Sequence, residues 1–185
     1  RDYDGAQKLL KKAGTLLEEA QDVNIGAMLA YRAGMLHLRR GEGEDHARAF
    51  EEFSRLGDLA DRHGFDSFRI LARSYAGLAQ LRLGRAAIAL ELSSDALRLI
   101  EETGAVYGGT HDLLYNHALI LRANRDSAGA NEHITRAHDA LMRSAESIAD
   151  AGLARSYLDV VSVNAEIVRE FTRTHRGDSP QALTA

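Results

Sequence analysis

The sequence predicts an all-α chain, an α-solenoid of stacked antiparallel helix hairpins, and three observations carry that expectation. A single proline in 185 residues, Pro180, leaves nothing inside residues 1–179 to forbid long helices. The periodic segments repeat their apolar residues at helical rather than strand spacing. The third observation is a two-part phrase that recurs along the chain: an Ala/Leu/Tyr-rich helix, a short polar turn, then a helix with small residues seven apart.

In chain order, residues 3–20 read as a second helix of such a phrase, with Asp4 as its candidate cap and Ala6, Leu10 and Ala13 on one face. Its first-helix partner is missing, so the chain reads as an excised fragment of a longer array, with Leu9, Leu10, Leu16 and Leu17 forming an apolar strip. The first complete hairpin spans residues 24–40, a turn at Gly41-Glu42-Gly43, and residues 45–63 before Gly64. The middle hairpin pairs residues 66–83 with 86–103 across Gly84-Arg85 and stops at Gly104. The third pairs residues 110–123 with 127–148 across Asn124-Arg125-Asp126. Further helical pattern follows to residue 173, closing one repeat domain over 1–173, and the polar, non-periodic residues 174–185 are expected to form a disordered tail.

The small-residue spacing carries more weight than helix propensity, because two helices approach closely only where their side chains are small. Ala89 and Ala96 are seven apart, as are Ala130 and Ala137, and Ala6 and Ala13. A looser version joins Ala49 to Leu56 with Phe53 between them. In the first helices, Gly34, Gly77 and Ala118 stand seven residues before Gly41, Gly84 and Arg125.

On these residues the sequence resembles the tetratricopeptide repeat family, which places a small residue in the first helix, glycine in the turn and two alanines seven apart in the second helix. Ala76-Gly77, Gly84, Ala89 and Ala96 carry the match. Arg125 replaces the turn glycine in the third copy, Gly43 lengthens the turn in the first, and the copies run to about 40 residues against about 34 for the family. The stretch from Ala145 through Asp150, with Leu153, Ser156-Tyr157-Leu158, Val161, Asn164 and Ile167-Val168, resembles the closing helices of long-helix arrays. Such arrays are attached to large bacterial ATP-dependent transcriptional regulators and cyclases. The resemblance implies a right-handed superhelix and a cytoplasmic signalling module.

Composition removes several other functions. With no cysteine there is neither a thiolate zinc site nor a cysteine nucleophile. A formal charge of −4 offers no attraction to a phosphate backbone, and no apolar run spans a membrane, so neither nucleic acid nor lipid is an expected partner. The closest histidine pairs, His133 with His138 and His111 with His117, are five and six apart, which does not put both on one helix face. No metal or cofactor is therefore expected. The acid pairs Glu18-Glu19, Glu51-Glu52 and Glu101-Glu102 splay apart on a helix, and no nucleophile, base and orienting group assemble, so an enzyme is not expected.

What remains is a surface. In the family the first helices line a concave groove, and the resemblance projects that groove onto Met28, Tyr31, Met35 and Arg39, then Leu71, Ser74, Leu78 and Arg82, then Asp112, Tyr115, Leu119 and Arg122. An apolar groove with an arginine row would suit a protein or peptide partner bearing acidic residues, or a small effector. The plainer alternatives stay open: the arginines also sit in last helical turns, where the helix dipole favours solvated cations, and the tyrosines also suit buried spacers between hairpins. Two functions follow, a non-enzymatic binding or effector-sensing module and a purely architectural spacer between an ATPase or cyclase core and an output domain.

Overall fold

The computed structural model describes residues 2–104 and 109–175. Among the described residues there are nine helices and no strand, and with 87% of them helical the rest suffice only for turns. Contacts divide the chain into two compact units, Arg1–Gly108 and Gly109–Ala185.

The first unit holds α1 (Tyr3–Ala20), α2 (Val23–Arg40), α3 (Asp45–His63), α4 (Asp66–Arg82) and α5 (Ala86–Thr103). Each packs on its sequence neighbours, and α2 also touches α4. The α1 cap is Asp2 rather than Asp4: the Gly5 N–H donates to Asp2 Oδ1 at 2.8 Å, satisfying one of the orphan donors of the first turn. Asp22 does the same for α2 through the Ile25 N–H. The ends are set by left-handed residues at Gly41, Gly64 and Gly104, with φ of 67°, 69° and 64°.

The small residues sit where the helices cross. Ala49, Phe53, Leu56 and Ala60 of α3 are wholly buried. Phe53 lies over Gly34 of α2, where a Cβ would come within 2.7 Å of its ring. The same ring stacks on Tyr75 of α4 with centroids 5.5 Å apart, and Tyr31 of α2 meets Tyr75 edge-on at 5.7 Å. Three helices are thus pinned through one aromatic cluster. Ala89 and Ala96 of α5 are likewise buried.

The second unit holds α6 (Thr110–Ala123), α7 (Ser127–Glu146), α8 (Ala151–Val160) and α9 (Ser162–His175). Its α6–α7 turn repeats the α4–α5 turn bond for bond. Gly84 N–H donates to Leu81 O and Arg85 N–H to Gln80 O; Arg125 N–H donates to Arg122 O and Asp126 N–H to Leu121 O. Arg125 takes φ of 67° where Gly84 takes 77°, so the repeat geometry survives the loss of the glycine. Asp150 caps α8 by accepting from the Leu153 N–H. In α9 the helix runs two residues into the expected tail: Thr174 Oγ1 donates to the Glu170 and Phe171 carbonyls, and His175 stacks on Phe171. Residues 176–185 of that tail lie outside the described residues.

Candidate functional site

Within the first unit, burial sorts the projected groove residues into two groups. Leu71, Ser74 and Leu78 of α4 are buried, and so cannot line an open groove. From Ile70 to Gln80 every residue but Arg73 is buried, because α4 lies between α3 and α5. Met28, Tyr31 and Met35 of α2 are half-buried, while Arg39 and Arg82 are exposed.

Arg39 and Arg82 stand at equivalent positions in the last turns of α2 and α4. Among the described residues neither side chain has a hydrogen bond or a carboxylate partner. Other arginines of the unit are committed. Arg69 and Arg73 share Asp61, Arg73 also reaches Asp95, and Arg98 of α5 is held by Asp95 and Glu102.

Arg40, one residue on, belongs to a buried network that the sequence reading passed over. Asp45, at 1% exposure, accepts from Arg40 Nε and Nη2 at 2.6 Å each and from the Glu42 N–H at 3.1 Å, and His37 Nδ1 lies 3.0 Å away. The guanidinium bonds, above all, hold the Asp45 carboxyl well below the usual carboxylate range. The network closes the long Gly41–Glu44 turn and is structural. Its signal in the sequence was a basic pair just before a glycine turn with an acid at the next helix start.

In the second unit, Tyr115 is buried, and burial together with Glu166 and Glu170 pushes its hydroxyl up to about 12. Leu119 is half-buried. Asp112 is half-buried, with Oδ1 3.0 Å from His111 Nε2. Arg122 is not free: its Nη1 lies 2.7 Å from Glu170 Oε2, which also receives Arg173 at 2.7 Å. The arginine row therefore reduces to Arg39 and Arg82.

The histidines of this unit sit between helices. His117 of α6 meets His133 of α7 with centroids 4.8 Å apart, and burial, with His133 and Arg136 nearby, lowers the His117 pKa to about 4. Phe171 of α9 is sandwiched between His138 of α7 at 3.8 Å and His175 at 4.1 Å. Among the described residues no group of three or more His, Asp or Glu side chains is placed to hold a metal ion. None of the helices there is long and apolar enough to cross a membrane. Compared with known proteins, the chain matches no protein-family model, no curated protein and no solved structure.

Proposed function

We propose that the chain is a non-enzymatic binding module in which α2 and α4 offer Arg39 and Arg82 to the carboxylates of a peptide partner. The observation that carries this reading is the contrast among arginines in the first unit. Arg40, Arg69, Arg73 and Arg98 are matched to acids, whereas Arg39 and Arg82, like Arg32, Arg62 and Arg85, are exposed and without a carboxylate among the described residues, and these two repeat one place at the ends of α2 and α4. A guanidinium is well suited to a carboxylate because its planar fork donates two parallel bonds. The tetratricopeptide-like spacing supports the same reading, and with it a cytoplasmic place in a larger regulatory protein.

The test is titration of a labelled acidic peptide with a free C-terminal carboxylate. Replacing Arg39 and Arg82 together by Glu should weaken binding by at least about tenfold, and wild-type affinity should fall with added salt. Arg98→Glu, on the second helix of its hairpin, serves as the control and should bind as wild type. Equal binding by wild type and the double variant would refute the Arg39/Arg82 assignment, and no binding by either would leave the chain as an architectural spacer.

A further inference from the structure

Each first helix of a hairpin in the first unit lies beneath a groove between the second helices on either side, and the two grooves differ. Over α4, between α3 and α5, the groove is shut. Arg73 bridges Asp61 of α3 to Asp95 of α5, Arg69 adds a second bond to Asp61, and a Cβ at Gly57 would lie 3.6 Å from the Ala72 Cβ. One repeat earlier, over α2 and between α1 and α3, the same places hold Ala30, Glu18, Arg55, Gly26, Gly14 and Leu29. Gly26 and Ala30 have no side chain that could bridge, and a Cβ at Gly14 would meet nothing within 4 Å. What remains there is a cleft of about 500 Å³, floored by Leu10 and Leu17 of α1 and Leu29, Ala33 and Leu36 of α2, with Glu52 and Arg55 of α3 as its third wall. A helix set on α1 and α2 as α2 is set on α3 and α4 would not enter it, since α2 has no contact with α5, the counterpart of that α3 wall. The cleft has the size of a small-molecule site.

Two polar groups on its wall decide the ligand. Glu52 Oε2 is shut off from water and has no hydrogen-bond partner among the described residues, for Arg55 Nη1 stops 3.6 Å away. His37 also lines the cleft, with Nδ1 3.0 Å from Asp45 Oδ1. Ionised Asp45 can only accept, so the neutral ring carries its proton on Nδ1 and leaves Nε2 as an acceptor. Acceptors without partners favour a ligand that donates. Lys11 and Glu18 on the α1 rim are exposed and opposite in sign, and do not alter that choice. We propose that the cleft between α1, α2 and α3 binds a small apolar ammonium compound, its hydrocarbon on the leucines and its N–H groups donated to Glu52 and His37. A carboxylate of the same shape would meet the Glu52 charge and be refused. This site goes beyond the peptide surface and shares neither Arg39 nor Arg82 with it.

The experiment titrates the full chain at about pH 8, where histidine is neutral and an alkylamine charged, with phenylbutylammonium and with phenylbutanoate, and follows both by nuclear magnetic resonance. The ammonium should bind with a Kd of about 1 mM or tighter and shift the Gly14 and Ala33 amides, and the carboxylate should bind at least tenfold more weakly. Gly14→Leu puts a side chain into the open space; it should weaken ammonium binding at least tenfold with helicity retained, because the new Cβ displaces no neighbour. Glu52→Gln removes the charge from a partly exposed side chain and should weaken the ammonium about tenfold. The Arg39→Glu, Arg82→Glu double variant should bind the ammonium as wild type, so the cleft and the peptide surface fail separately; a loss there would move the ion to that surface and overturn the cleft. No ammonium binding, equal binding of the two ions, or indifference to Gly14→Leu or Glu52→Gln would also overturn it. So would a ring-nitrogen spectrum showing the His37 proton on Nε2, since the ring would then offer a donor to the cleft.

Discussion

Gly34→Ala is the substitution on which the packing of the first unit turns. In an ordinary helix interior, replacing Gly by Ala stabilises by about 0.8–1 kcal/mol, because the unfolded chain loses conformational freedom. Here the new Cβ would meet three atoms of the Phe53 ring at 2.7, 2.8 and 2.9 Å. The ring has nowhere to go, being wholly buried and stacked against Tyr75. Forcing a methyl into such a site costs about 1–3 kcal/mol, which offsets or outweighs the helix gain, and the net change is a loss of up to about 2 kcal/mol. Gly57→Ala is the matched comparison: in α3 its Cβ would sit 3.6 Å from the Ala72 Cβ, an ordinary contact, and the substitution should stabilise by up to about 1 kcal/mol. Urea unfolding followed by far-ultraviolet circular dichroism reads both. If Gly34→Ala is as stabilising as Gly57→Ala, Phe53 is not fixed against α2 and the aromatic cluster does not pin the three helices.

Two further outcomes are expected in the second unit. Arg125→Gly should stabilise by about 1 kcal/mol in the same urea assay, since Arg125 is held at φ of 67°, which a side chain disfavours, while the turn hydrogen bonds use only its backbone. His117 has its folded pKa lowered to about 4 from an ordinary 6.5, so its neutral form stabilises the fold above pH 6.5 and that contribution, of order 3 kcal/mol, is lost as pH falls from there toward 4. A nuclear magnetic resonance titration should show the His117 ring unprotonated at pH 5.5; a midpoint near 6.5 would mean that the ring is solvated and faces no penalty from burial beside His133 and Arg136.

Helices and turns were legible in the sequence because they are local. Gly41, Gly64, Gly84 and Gly104 end or turn helices where expected, and the Asn124-Arg125-Asp126 turn was recognised from its place in the repeat although its glycine is absent. The cap was misplaced by two residues, since Asp2 and Asp4 both precede or open the same apolar run and only the backbone decides which carboxylate meets a free N–H. The candidate site was less legible, because it depends on how many neighbours a helix has. Leu71, Ser74 and Leu78 have groove-like spacing, but Ile70–Gln80 is apolar or small nearly all round, which signals a helix enclosed on every side. Arg122 differs from Arg39 and Arg82 only through Glu170, far along the chain, and no spacing rule could have paired them.

The pairing of each helix in the first unit with its sequence neighbours, α2 and α4 aside, bears on how that unit is assembled in time. No contact there waits for a distant segment to return, so the entropy of loop closure is small at each step and the hairpins can zip outward from whichever forms first. Speed in such a topology is set by nearest-neighbour interfaces, and the one built around Phe53, Tyr75 and Gly34 is a natural nucleus, with α1 the last helix to settle and the first to fray.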